Sequence, residues 1–397
     1  MTVCYRRSSY VFVLLADRGI VDLDSFFKGN IDVSHEPQIV GVSLLDGFAL
    51  TLDRVQLTLL STLDAKNWIP VSDIIEKFGC STSQLSALAE HGFLLSDENL
   101  SAAEELRVRD ERIDGLHWNP YQALAYQRSR WMDAGEDMET PSDLLDALDD
   151  YGQLLNVFGK PVSHFHQISS IGCIKLPKVN KDEGIFRTLL SRRTARYFRT
   201  DKSLPEEDLS TLLFYTFGYH GTFEVTDGYT VIQKTSPSGG SLHPVEAYPL
   251  VLDVEGISSG LYHYNVRDHS IDLLKEIDVT EGRKLAKHIT AGQEYFHSAN
   301  VLVILTARFD RSFWKYRNHQ KVLRVVEMDA AHLSQTFHLI GTELGLGTFP
   351  TAAIVDEVIE NILGLPILAE GAMMVVGCGY PVNEKMPGGF PFKARED

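Results

Sequence analysis

The sequence predicts an α+β protein in two dissimilar parts: a β-rich and helical N-terminal region, then a domain whose apolar sheet is covered by helices. Three observations predict this. Strand-like segments and an Asp46-Gly47 turn signal fill residues 1–52. After residue 183, helical stripes alternate with fully apolar runs. The chain has 397 residues, 44% hydrophobic and 23% charged, enough for about two or three domains with proper cores.

In the N-terminal region "SSYVFVLLAD" reads as a strand, and "QIVGVSLL" and "FALTL" flank Asp46-Gly47 as a two-residue hairpin. Thr51 is placed to cap a helix whose stripe is Val55, Leu57, Leu60 and Leu63. "VSDIIEKFG" and "STSQLSALAEHGFLL" add two helices, the second capped by Ser81. That order is the pattern of a winged helix-turn-helix, expected over residues 1–105. Its charges oppose DNA binding. From Val71 to Leu100 the only Lys or Arg is Lys77, against Asp73, Glu76, Glu90, Asp97 and Glu98, and a helix without cations does not neutralise phosphates. The formal net charge of −17 argues against nucleic acid and anionic membrane as partners in general. Docking of a peptide, or a structural role, fits better.

Residues 106–180 read as a helical middle segment and connector. "HWNPYQALAYQRSRW" enters a helix through Pro120, and "TPSDLLDALDDYGQLL" starts with cap Thr140 and Pro141. The acidic run from Asp133 to Asp150 reads as a solvated face. His164 and His166 share strand spacing but lack a third ligand nearby, so they read as surface histidines. A further domain is expected over 181–397, with helices at 183–193, 205–217, 324–345 and 355–363 and strands at 248–254, 300–307 and 372–378. Cys4, Cys80, Cys173 and Cys378 lie far apart, as reduced structural thiols do. No apolar run approaches the ~18 residues that span a bilayer, and "YVFVLLA" reads as a strand rather than a signal peptide. The expected location is cytoplasmic, without a metal.

Four segments carry chemistry. "SRRTARYF" sets Arg192, Arg193 and Arg196 around Thr194 at a helix end; the cluster suits a phosphate clamp and equally a helix C-terminus completing its dipole. "SPSGGSLHPVEAYPLV" supplies Ser236, Ser238 and Ser241, and in Gly239-Gly240 a place for backbone to approach something flat. "ELGLGTFPTA" leaves Gly347-Thr348 in a turn after the longest helix. "RSFWKYRNHQ" follows an apolar strand and puts Lys315 beside Tyr316, flanked by Arg311, Arg317 and His319. The C-terminal stretch adds Lys385, Lys393 and Arg395. His332 and His338 are six apart on one helix, more than the i, i+4 spacing of a metal pair, and read as core or interface residues.

"RRTAR", "SPSGGSLHPVEAYPLV", "GLYHYNVRDHSIDLL", the Lys-Tyr pair, "MDAAHLSQTFHLIGTELGLGTFP" and "VVGCGYP" occur in that order. Together they resemble the FMN-dependent nitroreductase superfamily. Within it they are most similar to the azoline dehydrogenases that mature thiazole- and oxazole-containing peptides. The resemblance covers roughly residues 183–397. It implies a nitroreductase-like FMN fold, a mostly antiparallel sheet covered by helices. Arg192, Arg193, Thr194 and Arg196 then hold the FMN phosphate and the pyrimidine edge. Ser236, Ser238 and Gly240 line the flavin, Gly347 and Thr348 present amides toward the ring, and Lys385 or Arg395 completes the phosphate site. Lys315 and Tyr316 match the catalytic lysine-tyrosine pair. Azoline oxidation removes a Cα proton and delivers a hydride to flavin N5, so the protein must supply a base, and a lysine serves when its pKa falls toward working pH. The family's members imply a homodimer with FMN at the interface, and the N-terminal region resembles a precursor-peptide-recognition module.

The expected function is oxidation of an azoline in a ribosomally made precursor peptide, alongside a cyclodehydratase partner. One alternative is an NAD(P)H-dependent reductase of dehydroamino acids or of small nitro or enone compounds, because fold alone does not set the direction of electrons. Another is a non-catalytic leader-peptide docking partner, which has no use for a phosphate clamp.

Overall fold

The computed structural model describes residues 3–21, 33–133, 152, 155–156, 159–166, 168–179 and 181–382. The Thr140-capped segment and the late cations Lys385, Lys393 and Arg395 lie outside the described residues. The chain divides into two compact units. The first comprises Met1–Arg130 with Phe313–Gln320 and Ile367–Ala369; the second comprises Trp131–Ser312, Lys321–Pro366 and Glu370–Asp397.

The first unit runs β1 (Cys4–Arg7), β2 (Val11–Val21), β3 (Val33–Ser43), β4 (Ala49–Thr51), α1 (Arg54–Thr62), β5 (Ile69–Pro70), α2 (Val71–Phe78), α3 (Thr82–Glu90), β6 (Leu94–Ser96), α4 (Ser101–Gly115) and α5 (Pro120–Ser129). Its strands form two antiparallel three-stranded sheets, β5-β1-β6 and β2-β3-β4. Leu59 and Leu60 of α1, Ile74 of α2, and Leu85 and Leu88 of α3 close over Tyr5, Phe93 and Leu94. Apolar residues recur every three or four positions, so each helix turns one stripe to that core.

Two local expectations shift. α1 is capped by Asp53 rather than Thr51: its carboxylate accepts the Gln56 N–H at 2.7 Å while the Gln56 side chain returns a bond to the Asp53 N–H, a reciprocal capping box. Asp46-Gly47 sits in the longer loop Leu44–Phe48 between β3 and β4, because the Asp46 carboxylate accepts the Phe48 N–H at 2.8 Å and fixes a wider turn. Ser81 caps α3 as its spacing predicts.

The second unit runs α6 (Ile185–Ser191), α7 (Glu206–Phe217), β7 (Gly221–Thr226), β8 (Tyr229–Gln233), β9 (Val245–Val251), β10 (Gly260–Asn265), β11 (Ser270–Glu276), α8 (Val279–Ile289), β12 (Val301–Arg308), α9 (Phe309–Tyr316), α10 (Val322–Glu343), β13 (Gly347–Thr351), α11 (Asp356–Leu363) and β14 (Glu370–Gly379). α9 ends in residues that pack with the first unit. Six antiparallel strands lie in the order β11-β10-β9-β12-β14-β13. β12 reads as an unbroken apolar run because both of its faces are covered. Val301, Val303 and Leu305 meet Leu213 of α7 and Phe337 of α10. Leu302 and Ile304 meet Ile289 of α8 and Ile359 of α11.

β13 is the edge strand nearest the arginine segment. Thr194 pairs with Thr348 in a parallel bridge, and the Ala195 N–H donates to the Thr348 carbonyl at 2.8 Å. A Cβ at Gly347 would lie 2.7 Å from that of Ala195, so only glycine lets the two backbones meet.

Candidate active site

The arginine segment leaves α6 at its C-terminus, and its three guanidiniums do different things. The Arg193 side chain donates to the carbonyls of Leu190 and Arg192, both at 2.8 Å, which is the capping use of a cation at a helix end. Arg196 lies 6.0 Å from the Tyr295 ring. The Arg192 guanidinium makes no hydrogen bond or ion pair with any described residue. Behind it, on α10, stands His338. Its Nδ1 is 2.8 Å from the Thr348 hydroxyl, whereas its buried Nε2 has no partner among the described residues. Burial, helped by the Arg192 charge, pushes the His338 pKa down to about 4, so the ring is neutral at physiological pH. Thr348 is fully buried and Gly347 is buried beside it. Both build the floor of this corner.

The Ser236–Ser241 loop is strapped to the same helix. The Ser236 hydroxyl lies 2.7 Å from that of Thr336. Ser238 donates to Asp329 at 2.5 Å, and the Gly239 N–H donates to the other Asp329 oxygen at 3.2 Å. The His243 N–H in turn donates to the Ser238 hydroxyl at 2.9 Å. Ser236 and Ser238 therefore shape the loop. Gly240, exposed and at φ 68°, is its outward face. A Cβ at Gly239 would lie 2.2 Å from Val325 Cγ1, so the loop rests on α10 at backbone distance. Asp329 and His338 are nine positions apart on α10, about 13 Å along its axis, and between them they anchor the loop and the arginine corner.

Lys315 and Tyr316 end α9, and the segment Phe313–Gln320 packs with the first unit. Phe313 meets Trp118 edge-on at 4.5 Å, Trp118 donates to the Leu368 carbonyl at 2.7 Å, and the Asn318 N–H donates to the His117 carbonyl at 2.8 Å. These contacts fix the backbone that carries the pair. Lys315 is exposed, with its Nζ 5.4 Å from the centre of the half-buried Tyr316 ring. Arg311, one of the cations that flank the pair in sequence, donates through Nε to the Leu242 carbonyl.

The second unit thus brings Arg192, Thr194, Gly347 and Thr348 to one corner and Ser236, Ser238 and Gly240 to one loop. Two residues escaped sequence reading: Asp329 and, in its corner role, His338. Asp329 had a signal, a lone carboxylate on a helix face otherwise given to the core.

The nitroreductase family model matches residues 189–380, the stretch holding both the loop and the arginine corner. A nitroreductase of Methanocaldococcus jannaschii is 32% identical over 192 residues, 48% of this chain and 88% of that protein. The trifolitoxin-processing protein TfxB of Rhizobium leguminosarum bv. trifolii is 33% identical over 176 residues; the match covers 43% of this chain and 47% of TfxB, about half of that relative's length. Among solved structures, the E. coli microcin synthetase McbBCD complex with truncated pro-MccB17 bound is similar with a TM-score of 0.44, 17% identity, and coverage of 70% of this chain and 92% of that one. A nitroreductase from Anabaena variabilis gives a TM-score of 0.41 at 22% identity, covering 50% of this chain and 38% of that one. The chain belongs to the nitroreductase family.

Proposed function

We propose that this protein is an FMN-dependent dehydrogenase in the maturation of a ribosomally made peptide, oxidising thiazoline or oxazoline rings to the aromatic azoles. The observation that carries the reading is the Arg192 guanidinium, unpaired among the described residues, with the His338 Nε2 that likewise has no partner among them, a corner that suits a polar or anionic group. FMN fits that corner and the loop together. Arg192, Thr194 and Arg196 hold its phosphate and ring edge, with Arg193 steadying the helix end from which they project. Ser236 and Ser238 keep the loop against α10, and Gly240 gives it a face without a side chain.

When bound, FMN supplies the acceptor for the hydride. Lys315 takes the Cα proton and Tyr316 orients the amine or the heterocycle. Because Lys315 is exposed in the single chain, the desolvation that its role requires comes from the substrate or from a second subunit. Two copies enclosing the FMN form the working homodimer. Within the first unit, the helices α1, α2 and α3 with the small antiparallel sheet β5-β1-β6 serve as a winged-helix-like module that takes the leader peptide as an added strand, and a cyclodehydratase supplies the azoline. The relationship to TfxB, a trifolitoxin-processing protein, supports the peptide substrate.

A second reading is favoured by the match to 88% of the M. jannaschii nitroreductase: a reductase that takes electrons from NAD(P)H. The visible spectrum decides. Protein loaded with FMN is mixed anaerobically with a synthetic thiazoline peptide and, separately, with NADPH. Bleaching by the peptide supports the dehydrogenase; bleaching by NADPH with the peptide inert moves the assignment to the reductase. Protein left colourless by added FMN ends both.

A further inference from the structure

The segment "GLYHYNVRDHSIDLL" forms β10, the turn after it and most of β11, and neither the Ser236–Ser241 loop nor the arginine corner draws on it. β11 is the edge strand opposite β13, so five strand spacings, about 24 Å, separate it from the corner. Between this hairpin and the N-terminal half of α7 lies a cavity of about 300 Å³, the lower end of the range for small-molecule sites. Leu209 and Leu213 of α7, Ile257 of the β9–β10 loop and Ile271 of β11 give it apolar walls.

A chain of polar groups crosses those walls. The Asn265 side-chain oxygen accepts the N–H groups of Arg267 and Asp268 at 3.1 and 3.3 Å, and the turn so formed carries His269 at φ 50°. The His269 ring stands between two hydroxyls. Its Nδ1 is 2.8 Å from that of Tyr264 and its Nε2 is 2.9 Å from that of Ser210. Phe214 meets the same ring edge-on at 5.1 Å. The three contacts fix the ring's orientation.

The hydrogen positions follow from burial. Tyr264 is 1% exposed, and His269 is the only described partner of its hydroxyl. Burial pushes the phenol up to about 12, so it keeps its proton, and a buried donor without an acceptor is costly. Nδ1 is therefore the acceptor, and Nε2 carries the ring hydrogen and donates it to Ser210 Oγ. The hydroxyl hydrogen of Ser210 is left over, and no described residue accepts it. A serine nucleophile gives its proton to an imidazole; here the imidazole gives one to the serine. The arrangement orients a hydrogen-bond donor for a ligand, not an attacking oxygen. Charge narrows the ligand further. Glu206, exposed one turn before Ser210, lines the cavity, and no lysine or arginine among the described residues does.

We propose that this cavity is a second binding site, separate from the arginine corner, for a small apolar group that is uncharged or cationic and presents a carbonyl oxygen to Ser210. The amide of an apolar amino acid has that chemistry, either free or as one residue of a peptide. The inference goes beyond the FMN reading and does not depend on it.

The test is methyl NMR of the full chain carrying 13C-labelled isoleucine δ1 methyl groups, titrated with N-acetyl-leucinamide. The signals of Ile257 and Ile271, assigned through Ile257→Val and Ile271→Val, are expected to shift and saturate together with a Kd of about 1 mM or tighter. The other isoleucine signals stay in place. Ser210→Ala keeps a good helix former on α7 and is expected to bind about ten-fold more weakly, the worth of one hydrogen bond. N-acetyl-leucine, which carries a carboxylate, is expected to bind wild type about five-fold more weakly than the amide, a gap that Glu206→Gln closes. Signals of Ile257 and Ile271 that ignore the amide at about ten times that concentration overturn the proposal. So does an unchanged affinity in Ser210→Ala, or an amide and a carboxylate that bind wild type alike. Acetyl-Gly-Leu-Gly-amide separates the two sources. Binding at least as tight as that of the single amide supports the site as one for a peptide segment; exclusion of the tripeptide supports it as one for a free small molecule.

Discussion

Ser238 donates its hydroxyl to the Asp329 carboxylate at 2.5 Å, and the Gly239 N–H donates to the other oxygen of the same group. One side chain on α10 therefore holds the loop at two successive residues. Asp329 is 5% exposed, and burial raises its pKa. Replacing it by Ala leaves a hydroxyl and an amide without their acceptor. Hydrogen bonds to a charged group and orphaned donors both cost stability, so Asp329→Ala is expected to lose about 2–4 kcal/mol. Urea unfolding measures it. FMN affinity should fall as well, since the loop loses its strap; a variant within about 0.5 kcal/mol of wild type would mean that the loop is held by its glycines and not by this pair.

His338 and Thr348 make a pH-dependent pair. Folding depresses the His338 pKa from 6.5 to about 4, so the unfolded chain binds the proton more readily. The contribution is intact above about pH 6.5 and drains away as pH falls toward 4, a loss on the order of 3 kcal/mol. Changing both partners to apolar residues of similar shape, His338→Leu with Thr348→Val, removes the titrating group without orphaning the hydroxyl. Stability curves from pH 7.5 to 4 should then converge at acid pH, with wild type losing more. Parallel curves would place the acid sensitivity elsewhere.

Arg192 and Arg193 are neighbours with opposite expected phenotypes. Arg193 already serves the carbonyls of Leu190 and Arg192, so Arg193→Ala should cost about 1 kcal/mol of stability and change FMN binding little. Arg192→Ala should leave stability nearly unchanged and weaken FMN by about ten-fold or more. Riboflavin, which lacks the phosphate, separates the two uses of Arg192: its Kd should not move. Flavin fluorescence quenching reads all of these, and equal losses for FMN and riboflavin would assign Arg192 to the ring rather than to the phosphate.

Much of this was legible because burial and periodicity coincide. β12 reads as "NVLVILTA" because its alternate residues fill two different cores, and α10 announces itself through a stripe from Val326 to Phe337. The loop and arginine segment are visible as clusters of unusual residues. What the sequence hides is which polar groups face each other. Asp329 lies some 90 positions from Ser238. A linear pattern also gives the Lys315-Tyr316 pair but not its exposure, which depends on packing across distant segments.

Lys315 and Tyr316 carry the sharpest prediction, because their backbone is fixed while the lysine side chain is open to solvent. Neither side chain is assigned to holding FMN, so Lys315→Ala and Tyr316→Phe should both purify yellow with wild-type FMN affinity. In anaerobic stopped-flow with a thiazoline peptide, loss of a base is worth about 100- to 10,000-fold, so Lys315→Ala should bleach slower by that factor. Tyr316→Phe keeps the ring beside the amine and removes only the hydroxyl, and its expected loss is about ten-fold. A Lys315→Ala protein that bleaches at the wild-type rate would remove this lysine from the chemistry while leaving the FMN site standing. A Tyr316→Phe protein as slow as Lys315→Ala would instead make the phenol the group that handles the proton.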